Sequence, residues 1–383
     1  MFGSKPHGGK LISNVYPKDR SSQLLEQLKE FLPITLDNDA VMDVEKIAIG
    51  AFSPIGGFMG SQDYDSVLKT KRLSNGSVWT LPIVLHVSLE QASKFSAGDE
   101  IALTDSTNRF LATLKLEEKY TPDKKGECKY IFNTLDPKHP GVSHTYSLPP
   151  VYLGGRVTMV QRPILKFPEY ELTPQETRDI FSQRKWKTVV AFHTRNPPHR
   201  AHEYLQKCAL EIVDGLLIHP IIGRKKPGDF PPEVIIAGYN ALFDGFYPKN
   251  RAVLGALSTY SRYAGPREAV FTALVRKNFG ATHFIVGRDH TGVGNFYSKY
   301  ASHEIFDEFT NEELGVHPLR FRGPSHCTRC ASITTDKTCP HGDDLKIEIS
   351  GDKVRSLFNS GKFPPEEFMR KEVAEAVLKV IKG

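Results

Sequence analysis

Val189-Val190-Ala191-Phe192-His193-Thr194-Arg195-Asn196-Pro197-Pro198-His199-Arg200-Ala201-His202-Glu203 is the stretch on which the reading of this chain turns. It opens apolar and β-branched, the composition of a strand buried on both faces. Within one residue it turns polar. Two prolines follow, and Pro198 is placed to open a helix, because the first helical position needs no N–H bond. Leu205, Ala209 and Val213 then recur at four-residue spacing, as on one helical face. The pattern predicts strand, tight loop and helix. The loop then lies at the carboxyl end of its strand, where open α/β sheets bind ligands.

That loop and first turn gather His193, Thr194, Arg195, Asn196, His199 and His202. His199 and His202 are three apart and project from one helix face. A helix start carries unpaired N–H groups and partial positive charge, which attract phosphate. The Arg195 guanidinium is a planar fork suited to a tetrahedral oxyanion. A lone histidine pair is more often a surface feature. Six such side chains after one buried strand predict a polyanion site built without a Gly-rich loop.

The chain has 383 residues, enough for two or three domains and a sizeable core. Its formal net charge of +6 is small for this length. That fits a few arginines kept for anionic substrates better than a nucleic-acid groove. There is no run of about 18 apolar residues and no signal-peptide pattern, so a cytoplasmic protein with no membrane partner is expected. Five cysteines are too few for a disulfide scaffold. Cys128 and Cys208 stand alone and read as buried, inert thiols.

Residues 1–165 read as a β-rich domain. Ser77–Leu85, Glu100–Asp105 and the alternating run Phe110–Leu116 are strand-like, and Ser21–Phe31 and Ser61–Lys71 look helical. Gly8-Gly9-Lys10 is not a P-loop, since the first Gly of that motif would fall on Ser4 and its Ser/Thr on Leu11. Residues 166–320 open with Thr173, Pro174 and Glu176 in cap, first-turn and capping-box positions. Buried strands are expected at Asp214–Gly223, Arg251–Leu254 and Thr282–Gly287, separated by helices such as Glu268–Phe279. This alternation predicts a parallel sheet with covering helices, an α/β fold, without the G-x-G-x-x-G of a dinucleotide site. Gly287, Arg288, Asp289, His290, Thr291, Gly292, Val293 and Gly294 end one of those strands. They belong on the same sheet edge as the signature loop.

Residues 321–383 read as a small C-terminal domain. Cys327, Cys330, Cys339 and His341 supply four soft or borderline ligands, the set of a closed, structural Zn2+ site. His326 is an alternative fourth ligand of awkward geometry, and a redox pair is the rival for the two cysteines. Lys346–Arg355 looks like strand, turn and helix, with Ser350, Lys353 and Arg355 able to face phosphate. Pro364 to Lys379 reads as a final helix.

The signature His193–His202 resembles the Q-T/L-R-N-P-x-H-x-x-H pattern of the ATP sulfurylases (sulfate adenylyltransferases). Pro6–Gly9, Ile49–Pro54, Arg262–Glu268 and Gly287–His290 are similar to the same family, so the resemblance spans nearly the whole chain. It implies a PUA-like, barrel-like N-terminal domain and a Rossmann-like nucleotidyltransferase domain. It also implies the zinc-containing type without a fused kinase domain. The implied reaction is ATP plus sulfate to adenylyl sulfate and pyrophosphate, with Mg2+ accompanying the ATP. Implied catalytic residues are Thr194, Arg195, Asn196, His199 and His202. Implied sulfate contacts are His193, Arg195 and Thr291. For ATP they are His193–Asn196, His199, His202, Gly287, Arg288, Asp289 and His290. Lys346–Arg355 resembles a segment that related nucleotidyltransferases close over the triphosphate.

Two positions depart from the family pattern. His193 stands where the family usually has Gln, and Thr291 where it usually has Ala with a backbone N–H on the sulfate. Either sulfate affinity rises as pH falls through the His193 pKa, or His193 fills the space of Gln with unchanged pH behaviour. Rival readings are another H-x-x-H adenylyltransferase, a zinc-ribbon RNA-binding protein, or a hydrolase with His199 and His202 as metal ligands. The direction of the reaction in the cell and the oligomeric state, including a homo-oligomer, stay open.

Overall fold

The computed structural model describes residues 2–17, 19, 25, 26, 28, 30–225 and 228–382. The expected helix at Ser21–Phe31 lies largely outside them. The N-terminal part contains β1 (Pro33–Thr35), β2 (Gly57–Phe58), β3 (Leu85–Val87), β4 (Glu100–Thr104), β5 (Phe110–Tyr120) and β6 (Val151–Met159). They form one mixed sheet in the order β1-β4-β5-β6-β2, with β3 also on β6. Among the described residues no pairing joins β1 to β2.

The run Ser77–Leu85 is buried, but its ladder begins only at Leu85. Pro82 offers no N–H to a partner. Part of the backbone before it serves side chains: the Val78 carbonyl meets the His7 ring, and the Thr80 carbonyl accepts from Arg267.

The second sheet is wholly parallel. It comprises β7 (Val189–Thr194), β8 (Gly215–Pro220), β9 (Ala252–Leu254), β10 (His283–Val286) and β11 (His317–Arg320), in the order β11-β10-β7-β8-β9. Chain order therefore reverses between β7 and β10, and the crevice at that switch point is where such sheets bind ligands. Side chains alternate along β7. Val189 and Ala191 enter one core, Val190 and Phe192 the other.

The first of these cores is common to both sheets. Trp79 and Phe52 from the N-terminal part meet Phe271 from the Pro266–Asn278 helix, at ring centroids of 5.4 Å. That helix is buried along its whole length and shows no amphipathic stripe. Its buried cations are met by carbonyl oxygens; Arg267 donates to those of Val67 and Leu68. The second core lies under the Arg200–Leu210 and Pro232–Phe246 helices and the C-terminal helix, Lys371–Lys382. This last helix starts later than expected, because the chain after Pro364 first makes a turn closed by Phe368 and Met369 N–H on the Pro365 carbonyl.

Helix starts follow their chemistry. Thr173 caps the Pro174–Gln183 helix in a full capping box with Glu176. The signature helix departs from its expectation: its cap is His199, its first residue is Arg200, and Pro198 lies just outside. A third, antiparallel sheet, β13-β12-β14, is formed by β12 (Ser325–Cys327), β13 (Ser332–Thr334) and β14 (Lys346–Glu348). Cys128 is buried and Cys208 half-buried. Among the described residues no helix is long and apolar enough to cross a membrane.

Gly215 opens β8 directly against Trp186, whose ring would lie 2.1 Å from an added Cβ. We expect Gly215→Ala to lower stability by about 1–3 kcal/mol, the usual cost of overpacking a filled interior. Urea denaturation measures it, and an unchanged midpoint would contradict the packing described.

Candidate active site

The loops after β7 and β10 and the start of the Gly351–Asn359 helix enclose a cavity of about 280 Å3. Its walls include His193, Thr194, Arg195, Asn196, His199 and His202, together with Gly287, Arg288, Asp289, His290 and Thr291. Every nucleotide and sulfate residue expected from the sequence therefore borders one space. Ser350 and Arg355 border it too, whereas Lys353 turns away, its Nζ donating to the Glu348 carbonyl at 3.2 Å. The Cys/His group lies outside the cavity.

The histidines of the signature are packed, not loose. The His199 and His202 rings stack at 3.7 Å, and Phe192 meets His202 edge-on. His199 Nδ1 caps the helix by accepting from the His202 N–H at 3.3 Å. The Arg200 N–H is taken by the Phe368 carbonyl at 2.8 Å. Two N–H groups of the first turn are thus already engaged, so the helix start offers less to an anion than its sequence suggested. Burial holds both rings neutral, with His199 pushed down to about 3 and His202 well below its ordinary value.

Thr194 is buried, and its hydroxyl serves the turn: it accepts the Asn196 N–H at 3.1 Å and lies 3.3 Å from the Asn196 carbonyl. Asn196 Oδ1 accepts from Arg355 Nη2 at 3.3 Å. Arginine can only donate, so the Asn196 NH2 is left to face elsewhere. A Cβ on Gly351 would come within 2.6 Å of that amide, which leaves no room for a side chain there.

Arg195 is fixed by groups to which the sequence reading gave no role. Its guanidinium lies over the Tyr263 ring at 5.3 Å and 3.7 Å from the Asp229 carboxylate. Asp229, buried, also meets Arg355 Nη1 at 2.9 Å. Beneath Tyr263, the buried Glu268 carboxylate accepts the N–H groups of Arg262 and Ala264, both at 3.0 Å. Asp229 sits in a polar loop after β8 with no motif of its own, whereas Tyr263 and Glu268 fall within the Arg262–Glu268 motif. Arg195 Nη1, Arg355 Nε, His202 Nδ1 and both Asp229 oxygens are buried without an aligned hydrogen bond inside the protein. Buried polar groups are mostly hydrogen-bonded, so a group of such atoms beside one cavity calls for an explanation.

On the β10 side, Arg288 pairs with Glu348 at 2.6 Å and Asp289 is exposed. His290 Nε2 lies 2.8 Å from Thr272 Oγ1. The Thr272 hydroxyl proton goes to the carbonyl of Glu268 or Ala269, at 2.8 and 3.0 Å, so Thr272 accepts from His290. Burial, with Arg276 and Arg195 nearby, pushes His290 down to about 3. Thr291 adopts φ +54°, a left-handed conformation that a β-branched residue rarely takes. Its hydroxyl bonds back to the His290 carbonyl at 2.8 Å. His193 is held well below its ordinary value by burial first, then by Arg276, His290, Arg195 and His219. Protonation of His193, one of the two behaviours open from the sequence, is thereby displaced to the acid side.

Cys327, Cys330, Cys339 and His341 bring their ligand atoms within 4.8 Å of one another. Cys330 Sγ lies 3.7 Å from Cys339 Sγ, and His341 Nδ1 is 3.3–3.4 Å from all three sulfurs. These are edges of a tetrahedron around a central ion bound at about 2.0–2.3 Å. The sheet carrying this group borders the cavity at both ends. Gly323 and Pro324 precede β12, and Ile349 and Ser350 follow β14.

Residues 168–380 match the family model described as ATP-sulfurylase, and residues 4–162 match that of a PUA-like domain. The chain is 48% identical over 378 residues to a sulfate adenylyltransferase of Synechococcus sp. (strain JA-3-3Ab), covering 98% of this chain and 96% of that relative. It is 47% identical over 374 residues to one of Staphylothermus marinus, covering 98% and 97%. A solved structure described as the hexameric APS kinase from Thiobacillus denitrificans shares the fold. Its TM-score is 0.78 at 23% identity, over 98% of this chain and 68% of that one. With its own family model over the parallel sheet and relatives aligned end to end, the chain belongs to the ATP-sulfurylase family.

Proposed function

We propose that the cavity at the β7–β10 switch point joins sulfate to the α-phosphorus of ATP, giving adenylyl sulfate and pyrophosphate, reversibly. One observation carries this reading: Arg195, His202 and Arg355, each with a buried nitrogen that makes no aligned hydrogen bond within the protein, border a single cavity. A ligand rich in acceptor oxygens meets all of them. Sulfate is already a dianion at neutral pH and needs no base. Its difficulty is weak nucleophilicity and repulsion from the triphosphate. The residues must therefore hold two anions in line and spread charge at the α-phosphorus, which is positioning plus electrostatic stabilisation.

In this reading Arg195, His193 and the Thr291 N–H hold the sulfate. Asn196 turns its NH2 to the α-phosphate, and neutral His199 and His202 each offer one ring N–H to the phosphate chain and departing pyrophosphate. Thr194 shapes the turn that aims Arg195 and Asn196. Gly287, Arg288, Asp289 and His290 hold the nucleoside side, and Arg355 reaches the phosphates from the C-terminal segment. Mg2+ enters with the triphosphate and needs no cage of its own. Cys327, Cys330, Cys339 and His341 would hold a structural Zn2+ that ties β12 to the β13–β14 connection. We divide the roles among residues 1–165 as support, 166–320 as the chemical unit and 321–383 as the far wall. The reaction is placed in the cytoplasm, on small-molecule substrates, with no nucleic acid and no membrane.

Equilibrium exchange between ATP and pyrophosphate, required to depend on sulfate, tests the reaction. Arg195→Ala is expected to lower kcat/KM by on the order of 100-fold or more, since no neighbour replaces its fork. A variant that keeps most of its kcat/KM would exclude Arg195 as the sulfate holder. Metal analysis should find about one zinc per chain. Its removal should weaken ATP binding in calorimetry as well as lower the melting temperature; protein purified free of metal would end the assignment.

The neutral histidines set a pH dependence. His7, His199 and His290 fall from 6.5 to about 4, 3 and 3 in the fold. Below 6.5 the unfolded chain takes up protons that the folded chain refuses. Stability is therefore complete above that value and drains away as pH falls towards 4. Urea midpoints at pH 7 and pH 5 should differ clearly, and a flat profile would mean that these rings are charged in the fold.

A further inference from the structure

Arg276 is an anomaly. It sits on the Pro266–Asn278 helix at 1% exposure, and among the described residues no carboxylate lies within ion-pair distance of it. Burying a guanidinium is costly, and such groups are normally paired. Its Nη2 has two partners at 3.0 Å, His193 Nδ1 and the His219 carbonyl. His219 is the β8 residue in register with His193 on β7. The guanidinium thus lies directly behind the ring that borders the sulfate end of the cavity.

We propose that Arg276 is a positioning residue for His193. By donating to Nδ1, it fixes the tautomer whose Nε2–H is presented to the cavity. Arginine carries donors only and stays protonated, so the ring nitrogen that it faces must carry a lone pair. The remaining ring proton resides on Nε2. The same contact excludes the imidazolium, which would set an N–H against an N–H. His290 from the β10 loop, Arg195 from its own loop and His219 from β8 work in the same sense on the ring, while the buried Glu268 carboxylate acts on Arg276 and Arg195 and keeps them charged.

This rests on the sulfate reading for its consequence, though not for its geometry. It accounts for histidine at a position where the family usually carries glutamine. A glutamine there would turn its Oε1 to Arg276 and its NH2 outwards. Neutral histidine copies that polarity, acceptor inwards and donor outwards, as long as a cation stands behind it. Of the two pH behaviours open from the sequence, this selects the flat one.

The test begins without substrate. In 15N-histidine-labelled protein, long-range 15N–1H correlation should show His193 as the pure Nε2–H tautomer, unchanged from pH 8 to 5.5. Arg276→Met should turn it into a tautomer mixture that titrates in that range. Arg276→Lys, which keeps a donor and serves if the methionine variant does not fold, should retain the Nε2–H form. An Nδ1–H ring in the wild type, or an unchanged ring in Arg276→Met, overturns the proposal.

Kinetics then reads the consequence. Arg276→Met should raise the sulfate KM about tenfold, the weight of one charge-assisted hydrogen bond, with a much smaller effect on the ATP KM. That sulfate KM should now fall with falling pH. His193→Ala combined with Arg276→Met should lose no more than His193→Ala alone; additive losses would show that Arg276 does not act through the ring. If the spectra agree but no sulfate-dependent exchange occurs, it is the proposed reaction that fails and the positioning role that stands.

Discussion

The backbone ladder that ties β7 to β8 on one side and to β10 on the other is the interaction on which the site depends. A central parallel strand can place its last residues only where its neighbours and the two cores allow. Val189 and Ala191 are gripped from one face, Val190 and Phe192 from the other. His193 and Thr194 then emerge at a fixed height, opposite His219 and Pro220. A one-residue slip would exchange the two faces and turn His193 away from the cavity. The apolar run before the signature is therefore as necessary to the anion site as the polar residues after it.

Electrostatics in this cavity is settled before any ligand arrives. Among the described residues four arginines, Arg195, Arg276, Arg288 and Arg355, stand around or behind it, yet its histidines are neutral because burial penalises their charged form. Asp229 balances Arg195 and Arg355, and Glu268 braces the turn that carries Tyr263. Charge is thus concentrated in groups that cannot lose it, and the rings act as oriented dipoles. Donors held in place this way need no reorganisation during reaction, which is what makes them effective in a low-dielectric site.

Much of this was legible in the sequence because it is local. The strand at Val189, the capping box at Thr173 and the fourfold Cys/His spacing depend on near neighbours in the chain. What escaped depends on distant ones. The first N–H of the signature helix goes to the Phe368 carbonyl, far along the sequence, which no local pattern reveals. Pro82 sits in a run with strand composition of which two carbonyls, those of Val78 and Thr80, serve His7 and Arg267. Arg276 and Asp229 lie in unremarkable surroundings, and their importance comes only from what folding brings against them. The Pro266–Asn278 helix hides its own burial, since charged residues break the apolar pattern while satisfying carbonyls across the interface.

The core common to the two large sheets reaches beyond packing. Trp79, Phe52 and Phe271 form a single aromatic seam, so neither half possesses a finished, water-tolerant wall along that border. Although separate family models cover the two halves, cutting the connection between residues 160 and 173 would leave complementary fragments that must clasp one another to stay dissolved. The six-stranded sheet and the strands behind the β7–β10 cleft accordingly draw on one core, so that opening either exposes apolar surface of the other.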